Sequence, residues 1–189
     1  MKKMKIKKYI TVVIGVFLFV SCSKETTPKP DGYLRLSYPK AVYQKEDSPY
    51  SFSYEKNREA RMIDEGHQAF RLDYPQMKAS IYMNYRKVTK NNLDSLLRDA
   101  QKLTYNHNIK ADDIQEKIFI NREAKVYGMF YKIIGNAATN VQFYATDSIN
   151  HFVVGSLYFY AKPNFDSIYP ATHYIETDMR HLMESIHWK

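Results

Sequence analysis

The sequence predicts an α+β fold in which an antiparallel sheet of about six to eight strands carries two main helices. Apolar and polar residues alternate with a period of two from Tyr33 onward, which is typical of half-buried strands. Two segments break this alternation with helical spacing, one near residue 100 and one at the C-terminus. Links of hairpin length between the strand segments favour antiparallel pairing and helices packed on the sheet.

The first four predicted strands precede the first helix. They lie at residues 33–38, 50–55, 68–75 and 78–85. The last two form a predicted hairpin around Pro75, since proline is confined to turns and edges of sheets. In the fourth strand, alternate apolar side chains share one face, namely Ala79, Ile81, Met83 and Tyr85.

The first helix is predicted over residues 91–106, with Asn91 or Asn92 as its N-cap. Its apolar residues recur at helical spacing and form one stripe, namely Leu93, Leu96, Leu97, Ala100 and Leu103. The pattern indicates an amphipathic helix that packs on the sheet.

Four further strands are predicted at residues 114–120, 124–134, 138–146 and 151–161. In the last of them, both faces carry apolar side chains, with Val153 and Leu157 on one face and Phe152 and Val154 on the other. A strand that is apolar on both faces is covered on both, so we expect it at the centre of the sheet.

The second helix follows the segment KPNFDS and extends nearly to the end of the chain. Its apolar stripe comprises Ile175, Met179, Leu182, Met183 and Ile186. If Ser167 is the N-cap, Pro170 falls in the first turn, where its missing N–H costs little. The order of strands, helix, strands and helix resembles the α/β/α sandwich of the PsbP and Mog1 type.

The N-terminus has the pattern of a bacterial export signal over residues 1–21. Five lysines fall in the first eight positions, and twelve mostly apolar residues follow from Tyr9 to Val20. As a helix at about 1.5 Å per residue, this run reaches only about 18 Å, short of the bilayer core of about 30 Å. A cleaved signal is therefore expected rather than a membrane span.

Cys22, the only cysteine of the chain, follows small Ser21 at the end of this run. The segment LFVSC resembles a lipobox, in which the cysteine thiol receives a diacylglycerol and becomes the acylated N-terminus after cleavage. We therefore predict a covalent diacylglycerol and an N-acyl chain such as palmitate on Cys22, and no other cofactor. The alternative is an ordinary secreted protein with an incidental cysteine, but exported thiols tend to pair or oxidise. Residues 22–32 then form a lipidated tether, and residues 33–189 a single globular domain.

The charge of the chain does not indicate nucleic-acid binding. Removal of residues 1–21 leaves 23 basic residues against 20 acidic ones, and the densest basic cluster is only Arg86, Lys87 and Lys90. Phosphate binding normally needs a concentrated basic surface, so nucleic acid is not an expected partner.

No catalytic motif is recognisable, and the prediction is that the chain is not an enzyme. Two H-x-x-E spacings in the second helix, His173 with Glu176 and His181 with Glu184, could each offer two ligands to one metal. The pairs lie more than two helical turns apart, and solvated helix faces often carry His and Glu. We predict no metal site and no small-molecule substrate.

Six tyrosines of the predicted strands leave two interpretations open. They are Tyr82, Tyr127, Tyr131, Tyr144, Tyr158 and Tyr160. An exposed row of these rings would suit a glycan or a partner peptide, because tyrosine gives large contact area at small entropic cost. The alternative is that the rings pack beneath the helices.

Nearly the whole mature chain resembles the gliding-motility lipoprotein GldD family of Bacteroidetes. The segments that carry the resemblance are TPKPDGYLRLSYP (27–39), YQKEDSPYSFSYE (43–55), YPQMKASIYMNY (74–85) and DSIYPATHYIETDMRHLMESIHWK (166–189). The tether pattern is fairly specific, and so is the helix that ends in Trp188 and Lys189. The predicted partner-binding residues are those of the tether pattern, namely Pro28, Lys29, Pro30, Gly32, Tyr33 and Arg35. Asp31 stands where the family pattern has Arg, which reverses a charge.

The resemblance implies a lipid-anchored, non-catalytic accessory protein of the gliding apparatus and of the type IX secretion system coupled to it. Its expected partners are the membrane and other lipoproteins of that machinery. The residues Ser23, Lys24 and Glu25 lack the acidic run associated with surface export, so we expect the periplasmic face of the outer membrane. The alternative is a periplasmic lipoprotein that binds a glycan or a metal, or a hydrolase without a recognisable motif.

Overall fold

The computed structural model describes residues 37–106, 111–160 and 164–189. These residues form two antiparallel sheets and two α-helices, which confirms the predicted α+β class. The helices are α1 (Leu93–Tyr105) and α2 (Phe165–Glu184), and Pro75–Met77 form a short 3-10 turn. None of the helices within the described ranges combines the length and the hydrophobicity needed to cross a membrane.

The strands that precede α1 are β1 (Tyr43–Asp47), β2 (Phe52–Asn57), β3 (Arg61–Gly66), β4 (Ala69–Tyr74) and β5 (Ala79–Lys87). Those that follow are β6 (Ala111–Asn121), β7 (Val126–Gly135), β8 (Thr139–Thr146), β9 (His151–Phe159) and β10 (His187–Trp188). The predicted hairpin around Pro75 is confirmed, because β4 and β5 pair across the 3-10 turn.

The larger sheet has seven strands in the order β3-β4-β5-β9-β8-β7-β6. Strand β9 lies at its centre and pairs with β5 on one side and β8 on the other. The prediction from its two apolar faces is therefore confirmed. Because β9 joins strands from both halves of the chain, the sheet is one continuous unit.

The smaller sheet, β1-β2-β10, was not predicted. Of the strand predicted at residues 33–38, Ser37 and Tyr38 lie outside any strand, and the rest falls outside the described residues. Strand β1 instead comprises the polar segment YQKED. The C-terminal Trp188 pairs with Phe52 of β2 and donates a hydrogen bond from Nε1 to the Lys125 carbonyl oxygen at 3.0 Å.

Helix α2 and the smaller sheet cover one face of the seven-stranded sheet and enclose the main core. The predicted stripe is fully buried there, with Ile175 and Met179 at 0% exposure, but its last residue, Ile186, lies beyond the end of α2 at Glu184. Gly155 of β9 is required by this packing, since a Cβ at that position would lie 2.3 Å from the Phe143 ring. The α2 face is therefore closely packed at the centre of the sheet.

The start of α2 differs from the prediction. Its N-cap is Asn164 and not Ser167, so Pro170 lies inside the helix beyond the first turn. The earlier start is held by Asn136 in the β7–β8 turn, whose Oδ1 accepts a hydrogen bond from the Phe165 N–H at 2.8 Å. That contact connects residues far apart in sequence, which a cap preference alone does not reveal.

Helix α1 lies on the opposite face, so the sheet is sandwiched between helical layers. Asn92 is its N-cap, but the side chain accepts from the Thr89 N–H and donates to the Lys87 carbonyl instead of capping the helix. Ala100 is buried as predicted, whereas Leu103 at the end of the stripe is 37% exposed. The buried part of the apolar stripe therefore ends before Leu103, whereas polar Thr104 in the last turn of the helix is fully buried.

Candidate functional site

The sheet face that carries α1 is covered only along its middle strands. Helix α1 packs on Phe152 and Val154 of β9 and on Tyr144 of β8. Buried Gln142 of β8 also attaches the helix, because its Nε2 donates to the Ala100 carbonyl at 2.9 Å and to Thr104 Oγ1 at 2.7 Å. The strands on either side of this contact keep part of the face open.

On the β6 side, the open part is an apolar groove of about 350 Å³ between α1 and the edge of the sheet. Its walls include Leu93, Leu97, Ile118, Ile120, Met129 and Tyr144. The pairing of β6 with β7 places Ile118 opposite Met129 and Ile120 opposite Tyr127, so these four side chains share the α1 face. We refer to this surface as the β6 groove.

Ile118 and Ile120 are the most unusual residues of the β6 groove. Their side chains are 68% and 59% exposed, although both lie in a regular strand. Strand β6 is the last strand of the sheet, so its outer backbone groups have no strand partner among the described residues. A long sheet edge with exposed apolar side chains favours pairing with another chain.

The N-terminal half of β6 is acidic. Asp112, Asp113 and Glu116 are exposed, and Lys117, which follows them, is the only basic residue of the strand. Glu116 accepts a hydrogen bond from the Tyr105 hydroxyl at the end of α1, and this bond raises the pKa of Tyr105 above its ordinary value. Strand β6 is therefore acidic in its N-terminal half and mostly apolar in its C-terminal half.

On the β4–β5 side, the same sheet face carries a tyrosine cluster. The rings of Tyr82 and Tyr158 meet edge to face at 5.5 Å, and Tyr160 is 53% exposed. The hydroxyl groups of Tyr160 and Ser80 are hydrogen-bonded, and Arg71 lies opposite Tyr82. The predicted tyrosine row is thus divided, because Tyr131 is buried and Tyr144 packs beside α1.

A buried polar cluster joins α2 to the smaller sheet. The Asp178 carboxylate accepts hydrogen bonds from the Tyr43 hydroxyl at 2.8 Å, from Asn57 Nδ2 at 2.8 Å and from the Tyr74 hydroxyl at 3.0 Å. Burial raises the pKa of Asp178 above its ordinary value, although the three donors act in the opposite direction. Because both oxygens are already bonded, we interpret this cluster as structural.

The two H-x-x-E pairs do not form similar sites. Glu176 lies 3.9 Å from His173 Nδ1, but it is bound by Lys132 at 2.9 Å and by Arg180 at 3.1 Å. His181 faces Glu55 at 2.7 Å and stacks on Tyr43 with ring centroids 3.7 Å apart. Within the described part of the chain, no group of three or more His, Cys, Asp or Glu residues could hold a metal ion.

The residues predicted as sites from the sequence lie outside the described residues. They are Cys22, Pro28, Lys29, Pro30, Gly32, Tyr33 and Arg35. Their roles stay predictions. The exposure of Ile118 and Ile120 was not predicted from the sequence. The only signal is the segment KIFI, in which apolar residues occupy both faces of a strand that ends in a turn.

Comparison with protein families gives one match over most of the chain. The sequence model of the family described as gliding motility lipoprotein GldD matches residues 23–188. No curated protein matches the chain.

Among solved structures, the chain is similar to the solution structure of cyanobacterial PsbP (CyanoP) from Synechocystis sp. PCC 6803. The identity is 11%, and the TM-score is 0.45. The similarity covers 85% of this chain and 100% of that one.

Proposed function

Since the chain belongs to the gliding motility lipoprotein GldD family, we propose that it is a lipid-anchored, non-catalytic accessory protein that acts through protein contacts. The family assigns it to the gliding motility lipoproteins and to the membrane-anchored proteins of the cell envelope. We further propose that the protein serves the type IX secretion apparatus and that it lies on the periplasmic face of the outer membrane.

The observation that carries the proposal is the β6 groove. Two isoleucines more than half exposed border an apolar groove at an open sheet edge. Complete burial of a fully exposed isoleucine contributes about 1.5–3 kcal/mol, and the exposed part of these two side chains makes a smaller share of that free energy available to a partner. A surface of this kind is expected of a protein that works by binding another protein.

The anchor is the second part of the proposal. Acyl chains on Cys22 would hold the domain at one membrane, and each buried methylene contributes about 0.8 kcal/mol to anchoring. The tether of residues 22–32 then lets the domain reach partners close to that membrane, which raises the effective concentration of weak contacts.

The contact surface is tested with Ile118→Lys combined with Ile120→Lys in the chromosomal copy. We expect reduced co-purification of gliding and secretion components from membranes and reduced cell spreading, at unchanged protein abundance. Ile149→Lys is the matched control, because Ile149 is 66% exposed in the β8–β9 turn, outside the groove. Unchanged co-purification and spreading in the groove variant would contradict the proposal.

The anchor is tested with Cys22→Ala. We expect the variant protein to leave the membrane fraction, and mass spectrometry of the wild-type protein to find an acylated N-terminus at Cys22. Protease treatment of intact cells then distinguishes the two faces of the outer membrane, since a periplasmic domain is protected. An unacylated mature N-terminus would remove the anchor from the proposal.

Glycan binding is a second candidate function, favoured by the tyrosine cluster. Tyr160 is 53% exposed beside Tyr82, Tyr158 and Arg71, and sugar rings pack on exposed aromatic faces. Thermal-shift measurements with envelope glycans, repeated with Tyr160→Ala, test this candidate. A shift that disappears in the variant supports it, and the absence of any shift excludes the glycans used.

A further inference from the structure

We propose that the protein binds a phosphate-type oxyanion in a small pocket beside strand β3. The pocket has a volume of about 190 Å³ and lies between the β2–β3 turn and the 3-10 turn at Pro75–Met77. Arg58, Arg61 and Gln76 contribute polar side chains to its walls, and Tyr74 is the buried residue among them. We refer to this site as the arginine pocket. It lies outside the proposed function, because the β6 groove is at the other edge of the sheet.

The side chains of Arg58 and Arg61 have no partner within the described part of the chain. Among those residues, neither guanidinium makes a hydrogen bond or has a carboxylate within 4.0 Å, whereas Arg71 has an ion pair at 2.6 Å. Asp73 lies opposite Arg61 in the β3–β4 pair, but it accepts a hydrogen bond from Ser80 at 2.8 Å instead. The donors of both guanidinium groups are therefore available to a ligand.

The charges around the arginine pocket favour an anion. Glu59 also borders the pocket, but its carboxylate lies beyond ion-pair distance of both guanidinium groups. Two guanidinium groups and one carboxylate leave the lining side chains with a net positive charge. Since Arg58 and Arg61 border the same small space, their like charges repel each other, and an anion bound between them turns this repulsion into attraction.

The backbone that carries Arg58 is held in place by hydrogen bonds. The Arg58 N–H donates to the Val42 carbonyl at 2.9 Å, and the Glu59 N–H donates to Asn57 Oδ1 at 3.1 Å. The amide of Asn57 in turn donates to the buried Asp178 carboxylate at 2.8 Å. Only side chains therefore have to become ordered when an anion binds, which lowers the entropic cost of binding.

The donor set and the size of the pocket indicate the class of anion. A guanidinium group matches phosphate and carboxylate oxygens with two parallel hydrogen bonds. One such group satisfies a planar carboxylate, whereas a tetrahedral oxyanion has further oxygens for a second guanidinium and for the Gln76 amide. A volume of about 190 Å³ is below the range of about 300–1,000 Å³ for drug-sized ligands, so the pocket suits a single phosphate group. That group can belong to a lipid headgroup or to a soluble phosphate.

The site is located by titrating the purified lipoprotein, in a non-ionic detergent, with inorganic phosphate at constant ionic strength. NMR spectra follow the Nε–H signals of the arginines and the side-chain amide of Gln76. We expect saturable shifts at Arg58, Arg61 and Gln76, and little change at Arg98 and Arg122, which are exposed outside the pocket. Shifts that do not saturate, or that are as large at Arg98 and Arg122, overturn the proposal.

The arginines are tested with Arg58→Gln combined with Arg61→Gln, by calorimetric titration with phosphate. We expect affinity to fall by at least about tenfold, because charge-assisted hydrogen bonds to the anion are lost. Arg98→Gln combined with Arg122→Gln is the matched control, since it removes the same charge from α1 and from the β6–β7 turn. An equal loss of affinity in both double variants would show a general charge effect and overturn the site.

The class of anion is tested by comparing phosphate and sulfate with acetate under the same conditions. We expect the two tetrahedral anions to bind severalfold more tightly than acetate, because only they offer oxygens to both guanidinium groups at once. Acetate that binds as tightly as phosphate would contradict a phosphate-type site. Both arginines are exposed, so their substitution should leave the thermal unfolding of the protein nearly unchanged.

Two soluble compounds distinguish the sources of the phosphate group. Glycerophosphoglycerol, the headgroup of phosphatidylglycerol without its acyl chains, carries a phosphodiester, whereas glycerol 3-phosphate carries a phosphomonoester. Tighter binding of the phosphodiester supports a lipid headgroup as the ligand, and tighter binding of the phosphomonoester supports a soluble phosphate. If neither compound nor inorganic phosphate binds, the inference fails, while the proposed function is still decided by the variants of Cys22 and of the β6 groove.

Discussion

The two faces of the seven-stranded sheet differ in how completely they are covered. On the α2 face, a 20-residue helix and the smaller sheet cover the central strands, and Ile81, Phe143 and Leu157 are at 0% exposure. On the α1 face, a 13-residue helix covers the middle only, and Ile118 and Ile120 remain open to solvent. The difference teaches that stability resides mainly on one face, whereas the other keeps surface available for recognition.

The two faces also differ in how their polar groups are placed. The α2 side holds a charged group, Asp178, that is buried and bonded by three donors from the smaller sheet and β4. The α1 side uses one buried amide, Gln142, to attach its helix, and its charges lie exposed along β6. Substitutions on the two faces should therefore affect different measurements.

The largest effect is expected in the closed core. Phe143→Ala removes a ring that packs closely on Gly155, and a cavity of that size cannot collapse between two covered layers. We expect a loss of about 3–5 kcal/mol in the free energy of unfolding, measured by urea denaturation. Ile149→Ala in the exposed turn is the control and should change stability little. A loss below about 1 kcal/mol for Phe143→Ala would contradict the picture of a rigid α2 face.

The next effect is expected at the buried carboxylate. Asp178→Ala leaves the hydroxyl groups of Tyr43 and Tyr74 without their acceptor and removes one of the two acceptors of the Asn57 amide. We expect a loss of about 1–3 kcal/mol, since unsatisfied buried donors carry the full cost of desolvation. Equilibrium unfolding checks this, and Thr177→Ala, a neighbouring exposed position on α2, is the control.

The pH dependence of stability offers a separate test of Asp178. In the unfolded chain this carboxyl releases its proton near pH 3.8, whereas its raised pKa in the folded protein keeps the proton to a higher pH. Between the two values the folded state binds more protons, so this group lowers stability as pH rises. Asp178→Asn should flatten that part of the profile, and an unchanged slope would show that another group controls it.

A smaller effect is expected where α1 attaches to the sheet. Gln142→Ala removes two hydrogen bonds to the helix, and we expect a loss of about 1–2 kcal/mol. Hydrogen exchange should increase in α1 and stay unchanged in α2, because only α1 loses its attachment. Equal increases in both helices would show that the two faces unfold as one unit.

The smallest effect on stability is expected at the open edge. Ile118→Lys with Ile120→Lys places charges on side chains that are already exposed, so we expect a change within about 0.5 kcal/mol in a monomeric sample. The same variant should show the largest loss of partner binding. A strongly destabilised variant would mean that these isoleucines serve folding, and the contrast between the faces would fail.

The sequence identified most elements of the larger sheet because their patterns are local. Apolar residues on both faces of residues 151–161 indicated the central strand, and the stripe from Leu93 to Ala100 indicated α1. Strand β3 was missed because RMIDEG is half exposed and does not alternate. Strand β1 was missed because YQKED is polar and forms a strand through its pairing with β2.

The candidate site was harder to predict because it is the part of the sheet face that α1 leaves uncovered. Ile118 and Ile120 looked like ordinary apolar strand residues, and only the strand order shows that β6 is an edge. Likewise, the pattern of α1 predicted an apolar stripe, but not how much of the sheet its 13 residues would leave open. Contacts such as Trp188 with Phe52 join the two ends of the domain and have no local signal.

The central position of β9 has a consequence for the folding of the protein. Strands β3 to β5 and β6 to β8 can each form early hairpins, but among the described strands only β9 joins the two halves of the larger sheet, so this sheet closes only when residues 151–159 have paired. Folding that waits for such distant segments is slow, and chains released prematurely expose two unfinished sheet borders. A chain that ends before β9 therefore keeps both borders exposed, and proteases of the cell envelope can remove it.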